Sequence, residues 1–383
     1  MTGSSAAAPL ALYIHWPFCK KKCPYCDFNS HVREKVEFEA WQHALLCELA
    51  YMHQLAPSRR LQSIFFGGGT PSLMPPFIAQ ALISQAKAYW PNDDDMEVTL
   101  EANPTSVEAD TFARFIEAGI NRLSLGVQSF DAAALKFLGR EHSAQEAKAA
   151  IARARAAGVP YSFDLIYARP GQTLLQWQQE LDEALMLAGS HLSLYQLTIE
   201  ENTAFHTAYT KGEFVMPSDD LAALLYDATT QRLQQAGYEA YEVSNYAMPG
   251  AASRHNLAYW RGYEYMGIGP GAHGRLAISD GWHATLTLKS PERWLEHVGR
   301  YGHGLESITP LSPRQRAEER VMMGLRLSEG MVCNEEVEPW LDIARMMSLE
   351  SHGLLRRQGN RLIATDKGRL VLTSLSAQVL KNS

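Results

Sequence analysis

Short β-rich runs alternate with longer amphipathic stretches along most of the chain. Strands are expected at Leu10–Trp16, Leu61–Phe66, Met96–Ala102, Arg122–Val127, Tyr161–Tyr167 and His191–Leu197, with a weaker seventh at Tyr238–Val243. Between them the pattern predicts helices over Val36–Leu55, Pro76–Tyr89, Ala109–Ala118, Ala144–Ala157, Leu175–Ala188 and Asp219–Ala236. In the first helix Phe38, Trp41, Leu45, Leu49 and Met52 recur three or four apart, the spacing of one buried face. Each strand–helix unit runs about 30–40 residues, which implies βαβ crossovers and a parallel sheet. A run of six such units favours a partial or complete parallel (β/α) barrel over a Rossmann sheet. This α/β barrel is expected over 10–245.

The pattern then changes. Tyr246–Gly274 is rich in Gly, Pro and aromatics without a sustained period, and reads as a long functional connection within a connecting region over 246–309. Pro310–Pro313 reads as a linker. Helices expected over Ser312–Glu329 and Glu335–Glu350, followed by a hairpin-like pair around Gly359, suggest a small winged-helix-like α+β module over 310–383. Winged helices often bind DNA, but this one carries mixed charge and no basic stripe, so it reads as a packing or partner module. Met1–Pro9 has neither the basic segment nor the apolar segment of a signal peptide and reads as a loose tail.

Bulk composition narrows the function classes. The chain has 383 residues, 46% hydrophobic and 20% charged, enough apolar mass for a full core. A net charge of −7 gives no support for nucleic-acid binding. No apolar run approaches the roughly 18 residues of a membrane span. Three of the five cysteines lie within eight residues of one another, an odd clustered set that suits a metal in a reducing compartment better than disulfides. A cytoplasmic protein is the expectation.

The densest chemistry is Cys19-Lys20-Lys21-Lys22-Cys23-Pro24-Tyr25-Cys26. Three thiolates on one short loop can each take one iron of a cubane cluster and leave the fourth iron without a protein ligand. Soft thiolates favour iron–sulfur or zinc over hard cations. Lys20, Lys21 and Lys22 would help to ionise the thiols. A zinc site completed by His31 is the competing reading of the loop taken alone. Polar or glycine residues at the strand ends weigh against it. Gly67-Gly68-Gly69-Thr70-Pro71 follows the second strand, Glu101 closes the third, Gln128 the fourth, Asp164 lies in the fifth and Gln196 ends the sixth. In a parallel barrel these ends share one mouth, where ligands bind, and glycines let backbone N–H groups approach a ligand. A structural zinc would need none of this.

The run Leu12-Tyr13-Ile14-His15-Trp16-Pro17-Phe18-Cys19, the CxxxCxxC loop and the GGGTP loop together resemble the radical S-adenosylmethionine superfamily. The likeness is to its branch of oxygen-independent coproporphyrinogen oxidases and their haem-chaperone relatives, over almost the whole chain. It implies a [4Fe-4S] cluster on Cys19, Cys23 and Cys26, with S-adenosylmethionine chelating the open iron. Tyr13 and Glu101 would touch that nucleotide. Tyr25, Gly68, Gly69, Thr70, Gln128, Arg140 and Asp164 would line the adjoining space. For Arg140 and Asp164 a salt-bridge network at the barrel rim is the alternative.

Two details separate the branches. The oxidases resemble CxxxCxxCxC, whereas here the last position is Phe28, as in the haem-chaperone branch. That branch also resembles this chain in an HNxxYW motif, His255-Asn256-Leu257-Ala258-Tyr259-Trp260. One departure is Ala168-Arg169-Pro170-Gly171, where relatives have Gly-Leu before Pro-Gly, a change that would add a charge near the mouth. His255 could ligate haem iron, Tyr259 and Trp260 could stack on the porphyrin, and Arg254 or Arg261 could pair with a propionate. The alternative is that His255 and Trp260 merely fasten the connection to the barrel. His273 is a weaker haem candidate, and Cys47 and Cys333 read as inert. The resemblance implies a haem chaperone that passes haem to acceptor haemoproteins, membrane-bound respiratory ones among the candidates. The rival from another class is a coproporphyrinogen III dehydrogenase, in which cleaved S-adenosylmethionine would supply a radical that abstracts hydrogen from propionate side chains. A zinc-stabilised barrel without redox chemistry is the third reading. The oligomeric state stays open, a dimer included.

Overall fold

The computed structural model describes residues 7–278 and 281–381. Alternation along its central strands separates two faces. Ile64, Val98, Leu100, Leu123, Leu125, Phe163, Leu165, Leu192 and Leu194 are buried in the main core. The positions between them, Ser63, Glu97, Thr99, Glu101, Arg122, Ser124, Ser162, Asp164 and Ser193, are polar and share the opposite face, because strand residues alternate sides. An apolar outer face takes the helices, and a polar inner face is left for a ligand or a plug.

In chain order the elements are β1 (Ala8–Trp16), α1 (Phe38–Leu55), β2 (Arg59–Gly68), α2 (Pro76–Tyr89), β3 (Asn92–Ala102), β4 (Arg122–Gln128), α3 (Ala144–Ala156), β5 (Tyr161–Tyr167), α4 (Leu174–Leu187), β6 (His191–Gln196), α5 (Asp219–Gln235) and β7 (Asn245–Ala247). Then come α6 (Arg254–Trp260), β8 (Glu264–Ile268), β9 (His273–Ile278), β10 (Gly281–Thr287), α7 (Pro291–Tyr301) and β11 (Leu305–Pro310). All eleven strands belong to one twelve-stranded sheet in the order β11-β10-β9-β8-β1-β2-β3-β4-β5-β6-β7, with Glu239–Ala240 at the far edge. Strands β8 and β1 to β6 run parallel, and the edge strands beyond them are antiparallel. The sheet has two free edges, so the partial form of the expected barrel is the one found.

All six expected strands are present. The weaker seventh shrinks to Glu239–Ala240, and the helix expected over Ala109–Ala118 is split into Ser106–Ala109 and Phe112–Glu117. Residues 1–6 of the expected tail lie outside the described residues, while Ala8 and Pro9 already pair with Arg59 and Arg60. The larger departure is the connection. Its residues supply α6 and four strands to the same sheet, and β8 pairs directly with β1. Glycines at 267, 269, 271 and 274 interrupt the apolar alternation of β8 and β9, which is why no period announced those two strands. At Gly267 and Gly269 an added Cβ would come within 2.3 Å of the His273 and His15 carbonyl oxygens.

One buried carboxylate joins this edge to the barrel. Glu48 lies on the apolar face of α1 and accepts from Gly269 N at 2.7 Å, Gly304 N at 2.7 Å and Trp294 Nε1 at 3.1 Å. Beyond the sheet, α8 (Pro313–Gly324), α9 (Ile343–Ser351), β12 (Leu355–Gln358) and β13 (Arg361–Ala364) surround a separate small core containing Val321, Leu325, Met346 and Leu362. Met331–Val332 completes a three-stranded sheet with the β12–β13 hairpin. This module meets the main sheet through charge. Arg316 stacks 3.5 Å over Trp282, Arg275 pairs with Glu319 at 2.7 Å, and Arg326 pairs with Glu242 at 2.9 Å.

Candidate cluster and nucleotide site

The cysteine loop begins where β1 ends and is held on both sides. On one side, Gly69 N donates to Trp16 O at 2.7 Å and Thr70 N to Phe18 O at 2.9 Å. The glycines of this second loop serve that contact. A Cβ on Gly69 would stand 2.8 Å from Phe18 O, and one on Gly68, at φ +111°, would stand 2.5 Å from the His15 ring. Gly68 and Gly69 also border the cavity, but the close approach that demands glycine is to the neighbouring loop rather than to a ligand.

On the other side, Asn29 is the anchor. Its amide nitrogen donates to Pro270 O and Lys289 O, both at 2.9 Å, and its side-chain oxygen accepts from His31 Nε2 at 3.1 Å. Its backbone oxygen accepts from His15 Nε2 at 2.9 Å, and His15 Nδ1 accepts from the Tyr13 hydroxyl at 3.1 Å. A chain of hydrogen bonds thus runs from the barrel interior to the cysteine loop and across to β8 and β10. His31 spends its nitrogen within this chain. Among the described residues, no three His, Cys, Asp or Glu side chains converge on one ion. That disfavours the zinc site completed by His31. A cubane takes each thiolate on a different iron, so its ligands stand further apart.

Cys19, Cys23 and Cys26 border one open cavity together with Tyr25, Gly68, Gly69, Thr70, Glu101, Gln128, Arg140 and Asp164. Tyr13 is set behind them, against Glu101 and the space at Gly67. Two donors already address the sulfurs: Thr70 Oγ1 to Cys19 at 3.3 Å and Arg140 Nη1 to Cys23 at 3.5 Å. Such contacts favour thiolate. In the protein alone, burial pushes the Cys19 and Cys26 thiols up. The Lys22 ammonium opposes this at Cys26 only weakly, so the exposed lysines do less for ionisation than the sequence suggested.

The donor set fits the nucleotide as well as the cluster. S-adenosylmethionine carries a sulfonium, an ammonium and a carboxylate. Arg140 Nη2 donates to Asn103 Oδ1 at 2.6 Å and Gly126 O at 2.8 Å, while its buried Nε has no partner among the described residues. Such an orphan donor suits a carboxylate. Glu101 accepts only a 3.3 Å bond from Gly68 N, and burial, then the neighbouring Asp164, pushes its carboxyl up to about 8. Burial likewise lifts Asp164 to about 7, against the Ser193 hydroxyl and Arg140. Two under-partnered carboxyls in one pocket are a receptor for cationic groups.

The HNxxYW residues do not border the cavity but lie beneath it, with the His255 ring 6.4 Å from that of Tyr13. Helix α6 closes the barrel floor. Glu97 caps it, accepting from Ser253 Oγ, Arg254 N and His255 N, each at 3.1 Å. Arg122 approaches the same carboxylate at 3.5 Å. The His255 ring is 1% exposed by residue, with Nδ1 2.9 Å from Ser63 Oγ and Nε2 3.1 Å from the Tyr259 hydroxyl. It stacks on Phe65 with centroids 4.9 Å apart. Trp260 lies under the Arg326 guanidinium at 4.5 Å. Arg254 and Arg261 pair with Asp95 and Glu329. Both His255 nitrogens, the Tyr259 hydroxyl and the two arginines have protein partners, while the buried Trp260 Nε1 has none among the described residues; in this structure α6 fastens the floor and the C-terminal module, and His255 has no free nitrogen for iron. His273 is exposed at the start of β9.

The Arg169 departure also reads differently. Its side chain is buried, pairs with Glu180 at 2.6 Å and bonds Ser129 Oγ at 2.9 Å. It borders a second cleft beside α4 and adds no charge to the mouth. Cys47 contacts His43 at 3.5 Å, and Cys333 packs on the module core.

A three-thiol loop over a nucleotide-compatible mouth of a partial parallel barrel defines a radical S-adenosylmethionine protein. The sequence pattern of the radical SAM superfamily matches residues 13–184, and that of the HemN C-terminal domain matches 311–371. The chain belongs to the HemW family. It is 40% identical to heme chaperone HemW of Escherichia coli over 96% of this chain and 97% of that protein. It is 38% identical to mitochondrial radical S-adenosyl methionine domain-containing protein 1 of Bos taurus, over 97% of this chain and 87% of that one. Among solved structures, coproporphyrinogen III oxidase (HemN) from Escherichia coli shares the fold, with a TM-score of 0.80 at 23% identity over 98% of this chain and 91% of that one.

Proposed function

We propose that this chain is a haem chaperone: it binds haem and hands it to acceptor haemoproteins while carrying a [4Fe-4S] cluster and S-adenosylmethionine. The observation that carries this reading is Phe28. It stands 58% exposed at the cavity rim, in the position where the oxidases carry a further cysteine. Cys19, Cys23 and Cys26 would hold the cluster, and Arg140, Glu101 and Asp164 the charged groups of the nucleotide. When bound, the cluster would supply an open iron and a source of single electrons. Thr70 and Arg140 would set the charge on two of the sulfurs, and Asn29 would hold the loop still. The acceptors are haem proteins, membrane-bound respiratory ones among them. No helix among the described residues is long and apolar enough to cross a membrane.

The test is one anaerobic preparation assayed twice. Haem titration should give a saturable Soret shift. The same protein, with reduced cluster and S-adenosylmethionine, should leave coproporphyrinogen III undecarboxylated. Robust decarboxylation with no haem bound would return the chain to the enzymes.

A further inference from the structure

The cavity is segregated by charge. Its inner wall carries Glu101, Asp164 and the buried Glu108, whereas its outer rim carries the consecutive exposed lysines Lys20, Lys21 and Lys22. None of the three lysines has an ion-pair partner among the described residues. The acidic side chains nearest in sequence or on the same rim are Asp27 and Glu141, both exposed. Phe28 stands on this rim with its ring in solvent, while its backbone is fixed. Its carbonyl accepts from Ser30 N at 2.7 Å and from Lys22 Nζ at 3.5 Å, and the next residue is the anchored Asn29. A fold that turns an aromatic ring outward on a braced turn leaves a flat apolar surface exposed beside unpaired cations.

We infer that this rim is the haem-docking surface: the macrocycle lies on Phe28, and its two propionates pair with the Lys20–Lys22 run. This rests on the haem-binding reading above. A flat apolar dianion matches a rim of one aromatic and several lysines, and with the pocket's Arg140 taken by the nucleotide carboxylate the propionates find their free cations only at the rim, so the cargo stays outside the cluster and nucleotide. Lysine heads in water hold a carboxylate loosely, by about fivefold or less per pair, which suits a cargo that must be passed on.

The experiment uses the full chain with its cluster reconstituted, checked by iron and sulfide content, and titrates haem and haem dimethyl ester by Soret absorbance. Wild-type protein should bind haem about tenfold more tightly than the ester. The Lys20→Ala/Lys21→Ala/Lys22→Ala variant should bind both alike, at the ester's affinity, and Phe28→Ser should weaken both forms. If wild-type protein binds haem and ester equally, or the triple variant keeps the wild-type preference, this docking surface is wrong while haem binding stands. The lysines would then serve another partner, such as an acidic face of an acceptor protein. If wild-type protein binds neither form, the chaperone reading falls with it.

Discussion

Glu97 and Glu101 stand four residues apart on β3, on the same inner face of the same strand, and the fold treats them in opposite ways. Glu97, at the floor, accepts from one hydroxyl and two backbone N–H groups and faces an arginine. Glu101, at the mouth, has one long bond and an acidic neighbour, and its carboxyl is driven up to about 8. Glu97 is satisfied by the protein alone, and Glu101 is not. A buried carboxyl left short of partners is costly, and because Glu101 borders the cavity that the three cysteines share, a bound group can complete it there. By the same measure His255, which reads as a ligand in sequence, is a finished floor residue.

The largest effect expected lies at the mouth. Reconstituted anaerobically, the protein should contain about four irons and four sulfides per chain. Serine at any one of Cys19, Cys23 or Cys26 should abolish that content, whereas Cys47→Ser and Cys333→Ser should keep it. Stoichiometric zinc without iron–sulfur absorbance would sink the cluster.

The paired glutamates give the next test. Glu97→Gln puts an amide donor against either the Arg254 or the His255 N–H group, which bond different oxygens of the carboxylate, and strips Arg122 of its charge partner, so urea denaturation should show a loss of about 2–4 kcal/mol. Glu101→Gln should leave stability unchanged or raise it, yet remove the perturbation that S-adenosylmethionine makes in the electron paramagnetic resonance spectrum of the reduced cluster. The pH dependence follows from sign. The folded protein holds the Glu101 proton to about 8 and the Asp164 proton to about 7, above their unfolded values. Their contribution is therefore fully present below about pH 4 and is lost as pH rises through 7 to 8. Ligand-free wild-type protein should weaken across that window, and Glu101→Gln should flatten the slope. Equal slopes, or two glutamine variants of equal stability, would erase the contrast between floor and mouth.

Much of the mouth was legible because its chemistry is local. Three cysteines in eight residues and polar residues at strand ends need only a parallel sheet to become one site, and periodicity supplies the sheet. The floor was not legible. Glu97 reads as an ordinary strand residue until α6, more than 150 residues later, brings it Arg254 N and His255 N. Asn29 likewise gains its role from Pro270 and Lys289. Glu48 left a trace: a carboxylate among Leu45, Leu49 and Met52 on the apolar face of α1 has to meet donors somewhere. Strands β8 and β9 were missed because the glycines in and between them, needed for close backbone approach, remove the alternation that announces a strand.

The smallest effect tests whether backbone strain at the strand ends follows the same division. Gln128 and Ala168 both take left-handed backbone, at φ +68° and +55°, where a side chain costs about 1–2 kcal/mol relative to glycine. Gln128 borders the cavity, but Ala168 does not; it is 3% exposed and packs in the main core. Replacing Ala168 by Gly relieves the strain, and the buried methyl it removes is worth about 0.8 kcal/mol. The two terms nearly cancel, with the balance on the side of glycine. Ala168→Gly should therefore stabilise the protein by under about 1 kcal/mol in urea denaturation, with iron content and the S-adenosylmethionine-induced spectral change intact. Gln128→Gly gains the same relief but removes a side chain from the mouth, so its spectral response to S-adenosylmethionine should weaken. If Ala168→Gly also dulls that response, the turn after β5 belongs to the mouth, and strain there is part of the site.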